Sequence, residues 1–437
     1  MTVLPIRTAA ETALAEEFAA AKARLPGGRE IAARREAAFR RFEANGLPSR
    51  RVEEWKYTDL RALMRDAKPL AMPPASRALQ PGAVGDALPG IAAAHHVALL
   101  NGVYAGSDVG AADSNVTITE LFAWLAANDG FRLDQAVCEP LDLGLALNSA
   151  FMTGGAVVQV RKGANVAGPI HLAYRFIGDA PGAMYPRTLI FVEPGAQATF
   201  IETYDGPAGL DYQVNGALAL VVGEGAKVER IKIGDEGAAA LHIATALVSI
   251  GAKADYREFT FTTGGAVTRN QLFLRSAGDA AKIRVAGANL LKGRQHVDST
   301  LVIDHAARGC ESREVFKSVL DGESRGVFQG KIVVRPQAQK TDGKMMTQAL
   351  LLSETAEADN KPELEIFADD VQCGHGATSG RLDENLLFYL KARGIPPKEA
   401  EALLIQAFVG EAIDGIAHEG VRELLGGRVA AWLGARQ

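Results

Sequence analysis

The sequence predicts a mainly β fold, an irregular β-helix in preference to a β-sandwich, between helical segments, and three observations carry that expectation. From about residue 95 to 375, β-branched and apolar runs alternate with glycine-centred turns: AVVQV, TLIFVE, ATFIET, ALALVVG, KVERIKI, KIRVAG and HVDSTLVI. Their two-residue period is that of half-buried strands. Gly-Ala turns recur at Gly163-Ala164, Gly195-Ala196, Gly225-Ala226 and Gly251-Ala252, at spacings of 32, 30 and 26 residues. Periods of that size mark coils that bury a face only against their neighbours. Helical patterns are nearly absent from the stretch, and no cysteine ladder or tight short repeat offers another solenoid class.

The flanks read as helices. TAAETALAEEFAAAKARL and REIAARREAAFRRFEANG are rich in strong helix formers. Pro26-Gly27-Gly28 separates them, and Gly46 then Pro48 end the second. Residues 67–90, rich in Pro, Ala and Gly, read as a connector. ITELFAWLAANDG and CEPLDLGLALNSAFM are the two helical exceptions inside the β region. Beyond residue 380, Asp383 caps DENLLFYLKARG and Gly394 stops it. Pro396-Pro397 pre-sets KEAEALLIQAFVGEAI, where Ala402, Ile405, Phe408, Val409 and Ala412 form an apolar stripe. A last helix covers roughly 418–433. The expected domains are 1–90, helical with the connector; 91–380, the β-helix; and 381–437, helical.

Composition narrows the function classes. The chain has 437 residues, enough for about three domains. Its formal net charge of −5 and its 6% aromatic content argue against a nucleic-acid surface. No apolar run approaches the ~18 residues of a membrane helix. Glu11, Glu16 and Glu17 interrupt any signal-peptide core. Three cysteines, Cys138, Cys310 and Cys373, make no disulfide framework. A soluble, cytoplasmic protein with no membrane or nucleic-acid partner is expected.

The search for chemistry returns few motifs. Gly326-Val-Phe-Gln-Gly330-Lys331 is one residue short of a phosphate loop and lies between strands. GxSxG, HExxH and CxxC are absent. The densest stretch is ADDVQCGHGATSG, residues 368–380. On a continuous strand Asp369, Cys373 and His375 share one face. Sulfur with imidazole suits iron, zinc or copper, but two ligands are too few for a closed site, which a partner chain or substrate would have to complete. The bland reading is a buried cysteine and a hydrogen-bonded histidine. His296 with Asp298, and Asp304-His305, offer acid/base pairs or ligands, with satisfied polar groups at a β-helix edge the plainer reading. Cys310 reads as a surface thiol in a turn, and Trp55 with Tyr57 as a docking patch.

The segment AQKTDGKMMTQALLLSETAEADNKPELEIFADDVQCGHGATSGRLDENLLFYLKARGI, residues 338–395, resembles the SufB/SufD family of iron–sulfur cluster assembly scaffold proteins. The likeness extends upstream through SREVFKSVLDGESRGVFQGKIVV and HVDSTLVIDH, and SRRVEEWKYTDL resembles the family's N-terminal segment. The CGHGAT block, the helical N-terminus and the length fit the SufD branch. GKMMTQA departs from the Tyr-Gln-rich strand of many relatives.

The resemblance implies a right-handed parallel β-helix between helical domains. It implies a non-enzymatic scaffold that pairs with a SufB-like chain through the end of the β-helix and binds a SufC-like ATPase through its C-terminal helices. Ile405, Phe408 and Val409 are candidates for that ATPase-facing surface. It places His375 at a transient iron–sulfur cluster shared with the partner, with Cys373 accessory. Asp369 is added from strand geometry alone. No cofactor is expected in the isolated chain, whose open edge could pair with a second copy. The alternatives are a carbohydrate-active β-helix enzyme and a purely structural self-assembling module.

Overall fold

The computed structural model describes residues 7–73, 88–108, 115–128, 140 and 142–436. Cys138 and the latter part of the expected connector lie outside the described residues. Helix α1 (Ala9–Ala21) opens on a reciprocal cap: Thr8 Oγ1 accepts from Glu11 N, and Glu11 Oε2 accepts from Thr8 N at 2.7 Å. Gly27, at φ +113°, breaks the chain before α2 (Arg29–Asn45). Phe18, Phe39 and Phe42 of this hairpin pack with Phe151 and Tyr185 against the β core. A single 3₁₀ turn (Glu53–Trp55) and α3 (Leu60–Leu63) follow. No helix among the described residues is long and apolar enough to cross a membrane.

The core is a β-solenoid of about eight turns. It begins with two antiparallel pairs. β1 (His95–Leu100) pairs with β2 (Val103–Ser107), and β3 (Val116–Glu120) with β4 (Ala156–Val160). The first stretch expected to be helical opens on the last three residues of β3 before its helix begins. Glu120 ends β3 and caps α4 (Leu121–Ala127), its carboxylate accepting from Ala123 N at 2.8 Å. The second forms α5 (Leu143–Phe151), capped by Asp142. From β8 (Gln197–Asp205) to β20 (Gln372–Gly380), successive strands alternate between two parallel sheets, even-numbered strands in one and odd-numbered in the other. Register is uninterrupted: Lys227 lies beside Gln197, Asp255 beside Lys227, Lys282 beside Asp255.

One corner explains the repeat and corrects it. Gly163, Gly195, Gly225, Lys253, Ala280, Gly309 and Lys340 all have positive φ, between 57° and 71°. The N–H of each donates to a carbonyl of the next coil, as Gly195 N does to Glu224 O and Lys253 N to Asp279 O, both at 2.8 Å. The next residue turns inward, giving a buried file of Ala164, Ala196, Ala226, Ala254, Ala281, Cys310 and Thr341. Gly251-Ala252 is thus not the equivalent of the other three Gly-Ala pairs; Lys253-Ala254 is. Cys310 is not a surface thiol. It takes an alanine-sized place in this file, fully buried, with Sγ 3.4 Å from Gly278 O.

The C-terminal helices are α6 (Glu384–Ala392), α7 (Pro397–Ile413) and α8 (Glu419–Gly434). α7 and α8 lie on the outer face of the even-numbered sheet. Ile405, Val409, Ala412, Val421, Leu425 and Trp432 cover Ile201, Ile231, Phe259, Phe261, Leu290 and Val319. Ile405 and Val409 are fully buried, so they do not form a partner-facing surface. Burying side chains of this size contributes about 1.5–3 kcal/mol each, which ties these helices to the solenoid.

Candidate functional site

The site is built by register. β16 (Glu311–Leu320) pairs with β18 (Asp342–Leu351), and β18 with β20. Ser312, Gly343 and Cys373 therefore form one row across the sheet, and Glu314, Met345 and His375 the next. Both rows face the hollow, where Phe316 and Met345 join the main core. β20 ends its sheet and β19 (Glu357–Ile366) ends the other, so among the described residues neither has a strand partner on its outer edge, and no further coil covers the last one. His375 consequently stands exposed over the mouth of the hollow, and Cys373 is half-buried against the core. Burial pushes the Cys373 thiol up, a trend that Asp342 and Glu314 reinforce and a backbone contact from Gly343 opposes. A Cβ at Gly376 would stand 2.7 Å from Met346 Cε, the end of an exposed and flexible side chain that can turn aside.

Asp369 does not join them. Residues 367–371 form the corner before β20, so the alternation that groups Cys373 with His375 stops short of it. Its near neighbour Asp370 pairs with Lys340. Among the described residues no group of three or more His, Cys, Asp and Glu side chains is gathered to hold a metal. The two donors on β20 form an incomplete set on an incomplete edge.

The other candidates are structural. Arg269, Gln271, Asp298, Thr300 and Gln329 point outward from the odd-numbered sheet and receive the N-terminal segment. Asp298 accepts from Thr58, from Arg269, from Thr300 at 2.8 Å and from Gln329 at 3.2 Å. His296 Nε2 lies 2.9 Å from Thr58 Oγ1, and burial lowers its pKa to about 4. Trp55 is buried there, its Nε1 donating to Asp142 Oδ2 at 3.0 Å. The docking it performs is within the chain. Asp304 accepts from Arg335 at 2.8 Å, whereas His305 turns inward to Ser312 Oγ at 3.0 Å, so the two are not a working pair. Gly326 to Lys331 lie inside β17 (Arg325–Val334), and Lys331 Nζ reaches Glu365 at 2.9 Å. They form no phosphate cradle.

One surface escaped the sequence reading. α6 has no buried residue, and it presents Leu386, Phe388 and Tyr389 at 52%, 70% and 54% exposure. The signal was present in LLFYL, whose bulky residues surround the helix instead of forming one stripe.

Comparison with known proteins agrees with this architecture. The family description "SUF system FeS cluster assembly, SufBD core domain" matches residues 175–408, and "SufBD protein N-terminal region" matches 13–84. An iron–sulfur cluster assembly SufBD family protein of Synechocystis is 31% identical over 395 residues, covering 85% of this chain and 84% of its own. The iron–sulfur cluster assembly protein SufD of Escherichia coli is 28% identical over 396 residues, covering 90% and 91%. The chloroplastic protein ABCI7 of Arabidopsis thaliana is 31% identical over 294 residues, covering 64% and 61%. With the core match spanning more than half its length on a two-sheet solenoid, this chain belongs to the SufB/SufD family of the SUF iron–sulfur cluster assembly system.

Proposed function

We propose that the chain is a SufD-like, non-catalytic scaffold subunit. It pairs through the open β19–β20 end with a SufB-like chain, and His375, with Cys373 beside it, contributes to the transient iron–sulfur cluster held between them. One observation carries this reading: an exposed imidazole and a half-buried thiol lie two residues apart on a strand whose outer edge has no partner. Neutral imidazole and thiolate are good ligands for iron, and two donors need others to close a site. A partner strand added at that edge would satisfy the free backbone groups and bring the missing ligands with it.

We assign the SufC-like ATPase to α6. Leu386, Phe388 and Tyr389 stand exposed around the helix, with Arg393 stacked on the Tyr389 ring, while the stripe on α7 is used internally. Energy would come from that partner. Co-expression with SufB- and SufC-like chains tests the assignment: an assembled complex should carry iron and sulfide, and should lose both when β20 is altered at His375. A complex that assembles and loads normally without the His375 imidazole would overturn the site.

A further inference from the structure

The hollow of the solenoid contains charged side chains, and nearly all are matched. Arg230 lies between Glu202 at 2.5 Å and Glu258 at 2.7 Å, and Glu236 is 3.0 Å from His242 Nδ1. Glu314 is different. It is fully buried, and neither of its carboxylate oxygens has a hydrogen-bond partner. A carboxylate left so in an apolar interior is strongly disfavoured, and a carboxylic acid is tolerated.

Its position gives the isolation a purpose. Glu314 lies in the inward row that ends at His375, with Met345 between them. The neighbouring row runs Ser312, Gly343, Cys373, and Gly343 places no side chain between Ser312 and the thiol. Two strand spacings, about 10 Å, separate Glu314 from the His375 position. The surroundings compensate it only slightly. Val285 and Met345 flank it on the neighbouring strands. On its own strand Ser312 is turned to His305, and Arg313 points outward to Asp342 at 2.7 Å. Across the hollow the odd-numbered sheet contributes Leu301, Ile303, Phe328 and Ile332, and His305 as its one titratable group near this level.

We propose that Glu314 is an internal counter-charge for the cluster end: a neutral acid when that end is empty, and a carboxylate when a cation occupies Cys373 and His375. The inference rests on the site assignment above. The step is an acid dissociation, Glu314–COOH giving Glu314–COO⁻ and a proton that leaves to solvent at the open end. It lets the interior accept a cation without holding a permanent buried charge in the empty state. Burial already pushes the Glu314 carboxyl up to about 8, against the smaller pulls of Ser312 and Arg313. A cation about ten ångströms away in a protein interior would make it roughly tenfold stronger as an acid.

Anaerobic ferrous-iron titration of the full complex with its SufB- and SufC-like partners tests this, using calorimetry in buffers of different ionisation enthalpy to count protons. Near pH 7.5 the wild-type complex should release more protons per iron than Glu314→Gln. The affinity gap between them should be small at pH 6 and grow to roughly tenfold at pH 9. Glu314→Met, which fills the same space without a titratable group, should behave as the glutamine variant does. Equal proton counts and parallel affinity curves, with iron bound through His375, would overturn the role of Glu314 alone. Failure of the wild-type complex to bind iron, or undiminished binding in His375→Ala, would overturn the site assignment and this inference with it.

Discussion

The Arg269 guanidinium lies 3.9 Å from the centre of the Trp55 ring, across 214 positions of sequence. The same side chain reaches Asp298, Gln271 at 2.5 Å and the carbonyl of Glu54 at 2.7 Å. One arginine on the odd-numbered sheet thus fixes the entry of the N-terminal segment by stacking, ion pairing and backbone capture together.

Arg269→Ala should therefore destabilise the protein by about 3–5 kcal/mol, because it strands Asp298 as a buried, unpaired charge. Urea denaturation followed by circular dichroism measures this. A loss below 1 kcal/mol would show that the Trp55 segment is held by other contacts.

His375→Ala is expected to leave stability within about 0.5 kcal/mol, since the side chain is exposed. Iron and sulfide in the co-expressed complex should fall sharply. Cys373→Ala should have the smaller effect on loading. Melting temperature and iron content, measured on one preparation, separate the two consequences.

The C-terminal helices should divide by role. Replacing Phe388 and Tyr389 together by alanine should abolish binding of the ATPase partner and leave the melting temperature unchanged. Ile405→Ala should cost roughly 2–5 kcal/mol of stability by opening a cavity over the sheet, with partner affinity retained in the folded fraction. The opposite pattern in calorimetric titrations would return the partner surface to α7.

Glu314 makes stability fall as pH rises. Its folded value, about 8, lies above its ordinary value of 4.5. Between these values the folded chain holds a proton that the unfolded chain has lost, so folding becomes less favourable across that interval and levels off above it. Glu314→Gln removes the dependence. Its advantage over wild type should grow from near zero at pH 4.5 to a few kcal/mol, on the order of the linkage limit, by pH 8.5. Thermal melts of the isolated chain at several pH values read the difference directly. A constant offset would mean that Glu314 is charged throughout.

Much of the solenoid was legible because strand alternation and glycine corners are local signals. The period was misread at the fourth corner because Lys253, Ala280 and Lys340 adopt positive φ without glycine, held by inter-coil hydrogen bonds that sequence does not display. Cys373 and His375 were legible as neighbours two apart. Asp369 was misplaced because nothing in ADDVQ marks where the corner ends and the strand begins. The stripe on α7 was visible, but its destination was a sheet whose contributing residues run from Leu350 back to Ile201, far from it in sequence. Glu314 gave no sign at all: SREVFK reads as an ordinary polar strand until register puts its glutamate indoors.

The two helices laid across the even-numbered sheet change how the coils behave as a set. A bare solenoid is a stack of weakly cooperative steps, each answering only to its neighbours, and it frays from its ends. Here α7 and α8 touch residues from Ile201 on β8 to Leu350 on β18, so they act as a splint across strands that never meet one another. Coils beneath the splint must open together or not at all. β20, beyond Leu350, is outside it. The splint therefore stops one strand short of the end, and within its sheet the edge that a partner strand would meet is held by β18 alone.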